Sequence, residues 1–131
     1  MIPGRASVLV VEDDADLAAL VEMIVSDAGY AVRGASDGAE ALARVEDEMP
    51  ALVLLDMRMP VMNGWEFARE FRARWGRAAP IVVVTAAEDA RLRAQEIDAD
   101  GWLEKPFEIE DMLATVHRFL DRPAPDQTAQ P

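Results

Sequence analysis

Three short runs constrain this chain more than any other feature: Val8-Leu9-Val10-Val11, Ala51-Leu52-Val53-Leu54-Leu55 and Ile81-Val82-Val83-Val84. Each is continuously apolar and rich in β-branched residues or leucine. A strand with one wet face alternates polar and apolar residues, whereas a strand buried on both faces does not. The runs therefore predict a parallel sheet covered on both sides. Two weaker strand candidates, Tyr30 to Arg33 and Gly101 to Glu104, each follow a helix-ending signal, Gly29 in one case and Asp98 to Gly101 in the other.

Helical periodicity fills the gaps. Leu17, Leu20, Val21, Ile24 and Val25 form one face of a first helix, with Asp13 or Asp14 available as N-cap and Gly29 as stop. Asp37 or Gly38 opens a second, with Ala39, Leu42 and Val45. Asn63 caps a third, whose face is Phe67, Ala68, Phe71 and Trp75. Glu88 to Ile97 is a fourth, weakly amphipathic and rich in Arg and Ala. Ile109, Met112, Leu113, Val116 and Leu120 mark a fifth. Five strands alternating with five helices imply right-handed βαβ crossovers and a doubly wound parallel sheet. Residues 1–122 read as one domain. The Pro-rich stretch 123–131 reads as a disordered tail or linker.

In such sheets ligand chemistry gathers at the carboxyl ends of the strands. The first strand runs into Glu12-Asp13-Asp14, the third into Asp56, the fourth into Thr85 and the fifth into Lys105-Pro106. Several carboxylates on one sheet edge repel one another and raise each other's pKa. A hard divalent cation with oxygen ligands relieves this, and Mg²⁺ suits a few carboxylates plus a phosphate. A carboxylate, a Mg²⁺ site, a lysine and a hydroxyl make a phosphoryl-transfer constellation, in which the carboxylate attacks in line and the cations neutralise the oxygens.

Composition narrows the field. There is no cysteine, so no disulfide framework and no thiolate chemistry. The one histidine, His117, excludes a His-rich metal site. A net charge of −12 repels phosphate backbones, so direct nucleic-acid binding is not expected. No apolar stretch is long enough to span a bilayer, and the acidic run after Val11 is unlike a signal peptide, so the expected compartment is the cytoplasm. Of the 13 basic residues only Lys105 is a lysine. A compact charge on a flexible stem serves sites that the wide Arg fork cannot, although a gene's base composition also produces such a skew.

The blocks VLVVEDD, LVLLDMRMPVMNGWE, PIVVVTAAE and DGWLEKPF, in this order, resemble the signature blocks of the response-regulator receiver domain of two-component signalling. The resemblance spans roughly residues 6 to 121 and implies the flavodoxin-like strand order 2-1-3-4-5. Carried over residue by residue, it makes Asp56 the phosphoacceptor. It makes Asp13 the direct Mg²⁺ (or Mn²⁺) ligand, with Glu12 acting through water, and gives the backbone carbonyl of Arg58 as a further ligand. Thr85 resembles the switch hydroxyl and Lys105 the counter-charge to the phosphoryl group. The bond before Pro106 is cis in the family. Pro60 and Gly64 match the loop after the phosphoacceptor. Trp102 stands at the aromatic switch position, where Tyr or Phe is usual; as a residue type it serves equally as core or interface filler.

The implied function is phosphorelay signalling. A histidine kinase or histidine phosphotransfer protein supplies the phosphoryl group. A downstream protein effector reads the face made by the fourth helix, fifth strand and fifth helix, and phosphorylation-dependent dimerisation is one form of output. Such a domain is not a turnover enzyme. Two departures stand out: Trp102 is bulkier than the usual ring, and the stretch from Thr85 to Lys105 is shorter by about two residues, which leaves the start of the fourth helix open. The competing readings are an aspartate-nucleophile phosphatase and a pseudo-receiver that only binds. The first wants an acid two residues after the nucleophile, where this chain has Arg58, which cannot protonate a leaving group at neutral pH. The second conflicts with the intact set of Asp13, Asp56, Thr85 and Lys105. Arg58 and Ala87 are the positions expected to govern access of water to an acyl phosphate, giving a moderately long lifetime. Asp14 is expected at a solvated helix N-terminus, Arg91 and Arg93 on a solvated helix face, Trp65 and Trp75 in core or rim packing, and His117 half-exposed.

Overall fold

The computed structural model describes residues 6–86 and 89–120. The elements alternate strictly: β1 (Ser7–Val11), α1 (Ala15–Asp27), β2 (Ala31–Ala35), α2 (Gly38–Asp47), β3 (Leu52–Leu55), α3 (Gly64–Trp75), β4 (Ile81–Ala86), α4 (Ala90–Glu96), β5 (Gly101–Lys105) and α5 (Ile109–Leu120). The strands form one sheet in the order β2-β1-β3-β4-β5, and every neighbouring pair is parallel. The expected doubly wound, five-stranded parallel fold is the observed one.

Continuous apolar strands produce two cores, because successive side chains leave a strand on opposite faces. Leu9, Val11, Val53, Leu55, Ile81 and Val83 point one way, onto Ala41, Leu42 and Val45 of α2, Phe67 and Phe71 of α3 and Ala94 of α4. Val8, Val10, Leu52, Leu54, Val82 and Val84 point the other way, onto Val21, Ile24 and Val25 of α1 and Met112 and Val116 of α5. A polar residue at any of these central strand positions would lie in one core or the other, which is why the runs are unbroken.

Helix ends follow local chemistry. Asp14, and not Asp13, caps α1: its carboxylate accepts hydrogen bonds from the backbone N–H groups of Asp16 and Leu17. That leaves Asp13 free for other work. Past the end of α1, Gly29 takes φ +101, a left-handed turn that stops the helix without a Cβ penalty. Asp37 caps α2. Asn63 and Glu66 form a reciprocal capping box at α3.

Several element boundaries differ from the sequence reading, those of β1, β3 and β5 by one residue. β2 runs Ala31–Ala35 because it pairs with β1 along its whole length, from Ser7 opposite Ala31 to Val11 opposite Ala35. β4 continues through Thr85 to Ala86, because β5 pairs with it that far, with Thr85 opposite Glu104 and Ala86 opposite Lys105. The helix expected from Glu88 is α4, Ala90–Glu96, opened by Asp89 without a side-chain cap. Glu88, Ala87 and the proposed tail 123–131 lie outside the described residues.

Candidate functional site

The parallel order brings the ends of β1, β3, β4 and β5 to one edge. Asp56 follows β3, and its N–H bonds the carbonyl of Val11 at 2.9 Å, which holds it beside the end of β1. Glu12 follows β1, anchored by an N–H bond to the carbonyl of Ala35 at 3.0 Å. Both carboxylates are buried, each 6 % exposed, while Asp13 is exposed to solvent. A carboxylate oxygen from each of Glu12, Asp13 and Asp56 lies within 4.8 Å of the others.

Glycine makes this closeness possible. A Cβ on Gly64 would lie 2.7 Å from the Cα of Met57 and 2.8 Å from the backbone oxygen of Asp56. Gly64 N–H also bonds the Met57 carbonyl at 2.8 Å. The first turn of α3 thus packs directly on the backbone that carries Asp56, an approach closed to any residue with a side chain.

Lys105 enters from the end of β5. Its Nζ donates to Glu12 Oε1 at 2.8 Å and stands 3.5 Å from Asp56 Oδ1. The second Glu12 oxygen accepts from the Asp14 N–H at 3.1 Å. Asp56 Oδ1 accepts from the Met57 N–H at 2.9 Å. Thr85 is 4 % exposed and shares a sheet face with Ile81 and Val83, by the alternation of the strand. The peptide bond between Lys105 and Pro106 is cis. Trp102 lies on the edge strand β5 and is 45 % exposed.

The electrostatics follow from this crowding. Burial pushes the Asp56 carboxyl up, and the neighbouring Glu12 charge pushes it further; Lys105 and the Met57 N–H pull it back, leaving it at about 6. Burial works against the charge of Lys105, but the hydrogen bond to Glu12 and the nearby Asp56 outweigh it, and its pKa is raised. Lys105 stays protonated while Asp56 is reluctant to ionise. One lysine does not balance three carboxylates. The pocket has the oxygen donors and the surplus negative charge that suit a hard cation such as Mg²⁺.

The loop after β3 continues the site toward α4. Arg58 Nη2 lies 3.6 Å from Asp89 Oδ2, and its guanidinium stacks over the Trp65 ring at 5.5 Å from the centroid. Arg93 of α4 stacks on the same ring at 5.5 Å. Arg93 is therefore not on a freely solvated face; its side chain is only 15 % exposed, lying over the Trp65 ring and paired with Glu96. No periodicity in the sequence signals this, since the contact joins two helices through a ring that belongs half to the core. His117 also has a partner that periodicity does not reveal: its Nδ1 lies 2.9 Å from the hydroxyl of buried Tyr30.

A doubly wound parallel sheet with an acidic trio, a lysine and a threonine at its carboxyl edge defines a domain of the phosphoacceptor class. The sequence comparisons name the family within that class. Residues 8–117 match the response regulator receiver domain model, and the chain belongs to that family. It is 37 % identical over 125 residues to response regulator MprA of Mycobacterium leprae, covering 94 % of this chain and 54 % of that protein. The chain thus spans about half the length of the MprA proteins it matches. Among solved structures, the chemotaxis response regulator CheY4 of Vibrio cholerae is 38 % identical with a TM-score of 0.80, over 88 % of this chain and 98 % of that one. The receiver domain of NtrX from Brucella abortus superposes with a TM-score of 0.80 at 29 % identity, over 88 % and 99 %. The chain is a receiver domain of phosphorelay signalling, a family whose members accept a phosphoryl group on aspartate and bind Mg²⁺ at acidic residues. Among the described residues no helix is long and apolar enough to cross a membrane.

Proposed function

We propose that this chain takes a phosphoryl group from a histidine kinase or histidine phosphotransfer protein onto Asp56, in the cytoplasm, and signals to a downstream protein effector. The observation that carries this reading is the setting of Asp56: buried, within 3.5 Å of the lysine and grouped with the acidic pair at the carboxyl edge. An oxygen of Asp56 attacks the phosphorus of the donor's phosphohistidine in line. The phosphorus–nitrogen bond breaks, and the histidine leaves with the electron pair. Lys105 is positioned to transfer its hydrogen bond from Glu12 to a phosphoryl oxygen, a donor already protonated and already in place. The Thr85 hydroxyl bonds a second oxygen.

Asp13, Asp56 and the Arg58 carbonyl would hold Mg²⁺ or Mn²⁺ directly, and Glu12 would hold it through water. When bound, that cation neutralises charge on the phosphoryl oxygens. Thr85 and Trp102 form the switch. Movement of Thr85 toward the phosphoryl group frees space beneath α4, and Trp102 changes its exposure on β5, altering the face made by α4, β5 and α5. Residues 1–122 act as the receiver and 123–131 as a tail or linker. Arg58, drawn toward Asp89 beyond the ends of β3 and β4, restricts water and gives a moderately long-lived acyl phosphate. The test is radiolabelling from acetyl phosphate with Mg²⁺. The wild type is expected to take acid-stable, base-labile label, and Asp56→Ala none; equal labelling of the variant would overturn the assignment.

A further inference from the structure

Trp65 sits at the centre of a closed set of contacts that the phosphoacceptor chemistry does not by itself require. Its indole N–H donates to Glu96 Oε1 at 2.7 Å. The other Glu96 oxygen, Oε2, pairs with Arg93 Nη2 at 3.2 Å. Arg93 in turn stacks on the Trp65 ring, so these three residues hold one another in a ring spanning α3 and α4. The Arg93 Nε–H is buried without a hydrogen-bond partner. A donor left in that state is tolerated where the guanidinium plane is needed elsewhere, and here it lies against the indole. Arg58 stacks on the same indole and pairs with Asp89, the residue that opens α4. Arg58 is two residues beyond Asp56, and Asp89 is four beyond Thr85. The Arg58–Asp89 pair therefore joins the two loops that leave the phosphoacceptor strand and the threonine strand. An isolated exposed pair of this length would hold Arg58 weakly. The Trp65 platform is what gives it a fixed posture.

We propose that Trp65 is a positioning residue for hydrolysis of the acyl phosphate. It clamps Arg58 toward Asp89, beyond the ends of the paired strands β3 and β4, and, through Arg93 and Glu96, makes that posture depend on where α4 sits. The proposal rests on the reading of Asp56 as phosphoacceptor. In the hydrolysis a water oxygen attacks phosphorus, the bond from phosphorus to the Asp56 oxygen breaks, and the electron pair returns to the carboxylate. The water proton stays with the inorganic phosphate or passes to solvent. Clamped, the Arg58 side chain narrows the approach for that water. If α4 moves, Arg93 and Glu96 move with it, Arg58 loses its platform, and the approach opens. A partner that holds α4 in place would thus prolong the signal it reads.

Two measurements on the whole chain test this. In a Trp75→Phe, Trp102→Phe background, Trp65 is the only fluorophore of its kind. There, Arg58→Ala and Arg93→Ala are each expected to raise acrylamide quenching about two-fold; unchanged quenching in both overturns the clamp, whatever the chemistry at Asp56. In the wild-type background, protein labelled from acetyl phosphate is passed into donor-free buffer with Mg²⁺ and loss of label is timed. Arg58→Ala and Trp65→Leu are each expected to speed the loss at least about three-fold, with Trp65→Phe, which keeps a ring face, closer to wild type. The double variant Arg58→Ala, Trp65→Leu is expected to match Arg58→Ala alone, because Trp65 acts only through Arg58. Multiplied effects in the double variant, or a Trp65→Leu rate equal to wild type, overturn the proposal. A wild-type chain that takes no label overturns the phosphoacceptor reading and, with it, the kinetic half of this one, while the quenching result still judges the clamp itself.

Discussion

Two regions flank Asp56, and they are built on opposite principles. On the β1, β3 and β5 side, three carboxylates and one lysine are forced together at short range, two of the acids buried. On the α4 side, Arg58, Trp65, Arg93 and Glu96 make stacked and paired contacts that are individually weak, with Arg58 exposed and Arg93 mostly covered. The first arrangement carries unrelieved like-charge repulsion, so it gains most from a cation and a phosphoryl group. The second gains and loses little in any one contact, so it can rearrange. Chemistry is placed where the fold is electrostatically frustrated, and movement where it is loosely held. The contrast predicts effects of very different size on the two sides.

Apart from loss of Asp56 itself, the largest effect is expected at Lys105. Its ammonium meets Glu12 and Asp56 from one point, at 2.8 and 3.5 Å. Lys105→Ala should slow labelling from acetyl phosphate by about a hundred-fold, the scale of losing one charged donor aimed at the developing charge. Lys105→Arg keeps the charge but replaces a point with a planar fork, and should recover no more than about a tenth of the wild-type rate. An arginine variant that labels at the wild-type rate would show that charge alone suffices and that geometry does not matter on this side.

The next effect has the opposite sign from that of most substitutions. In the folded chain Asp56 gives up its proton at about 6, against 3.8 for an ordinary aspartate, because burial and Glu12 disfavour its charge. Below the ordinary value the carboxyl is neutral in both states and contributes no penalty. As pH rises from there to about 6 the unfolded chain ionises first, and stability is lost; above that the full penalty persists. Asp56→Asn removes the penalty. Without metal it should stabilise the chain at pH 8 by about 2–3 kcal/mol, with the difference falling to about 0.5 kcal/mol at pH 4. Urea unfolding of both proteins at pH 4, 6 and 8 checks this. Added Mg²⁺ should close the gap at pH 8 by stabilising the wild type more than the variant. A variant less stable than wild type at pH 8 would mean that Lys105 and the Met57 N–H, not burial, dominate the carboxylate.

The two regions also differ in how far a linear sequence exposes them. The acidic side was legible, since each of its members follows an apolar run or a strand candidate, and a parallel sheet must bring those ends together. Glu12, Asp13, Asp56, Thr85 and Lys105 all stand out on that ground and from the family's motif blocks. The tight Glu12–Lys105 bond has no signal in the sequence, because which acid a flexible lysine meets depends on burial and on the course of the last loop. The α4 side was largely illegible. Arg93 read as a solvated arginine, and Trp65 as core or rim. Their pairing needs the relative placement of α3 and α4, and no local period encodes that. The end of β4 is hidden from the sequence by the same limitation, because β5 extends the strand through Thr85 to Ala86 by pairing with it.

The smallest effect tests the stacked side as structure. The Arg58 guanidinium on Trp65 is exposed while that of Arg93 is mostly covered, and stacked contacts of this kind contribute about 0.5–1 kcal/mol at exposed sites and about 2 kcal/mol when desolvated. The indole N–H bond to Glu96 adds a similar amount at the surface. Against this, Phe67 and Phe71, on the same helix, are fully buried. Trp65→Leu, measured by urea unfolding at pH 8 in the presence of Mg²⁺, should therefore cost no more than about 1–2 kcal/mol, whereas Phe71→Ala should cost about 3–5 kcal/mol. The ratio matters more than either value. If Trp65→Leu costs as much as Phe71→Ala, the indole is a core residue, α4 is fixed by it, and the side assigned to movement is as rigid as the sheet. If it costs as little as expected while altering the lifetime of the acyl phosphate, then the residue acts on the timing of the signal and not on the stability of the fold.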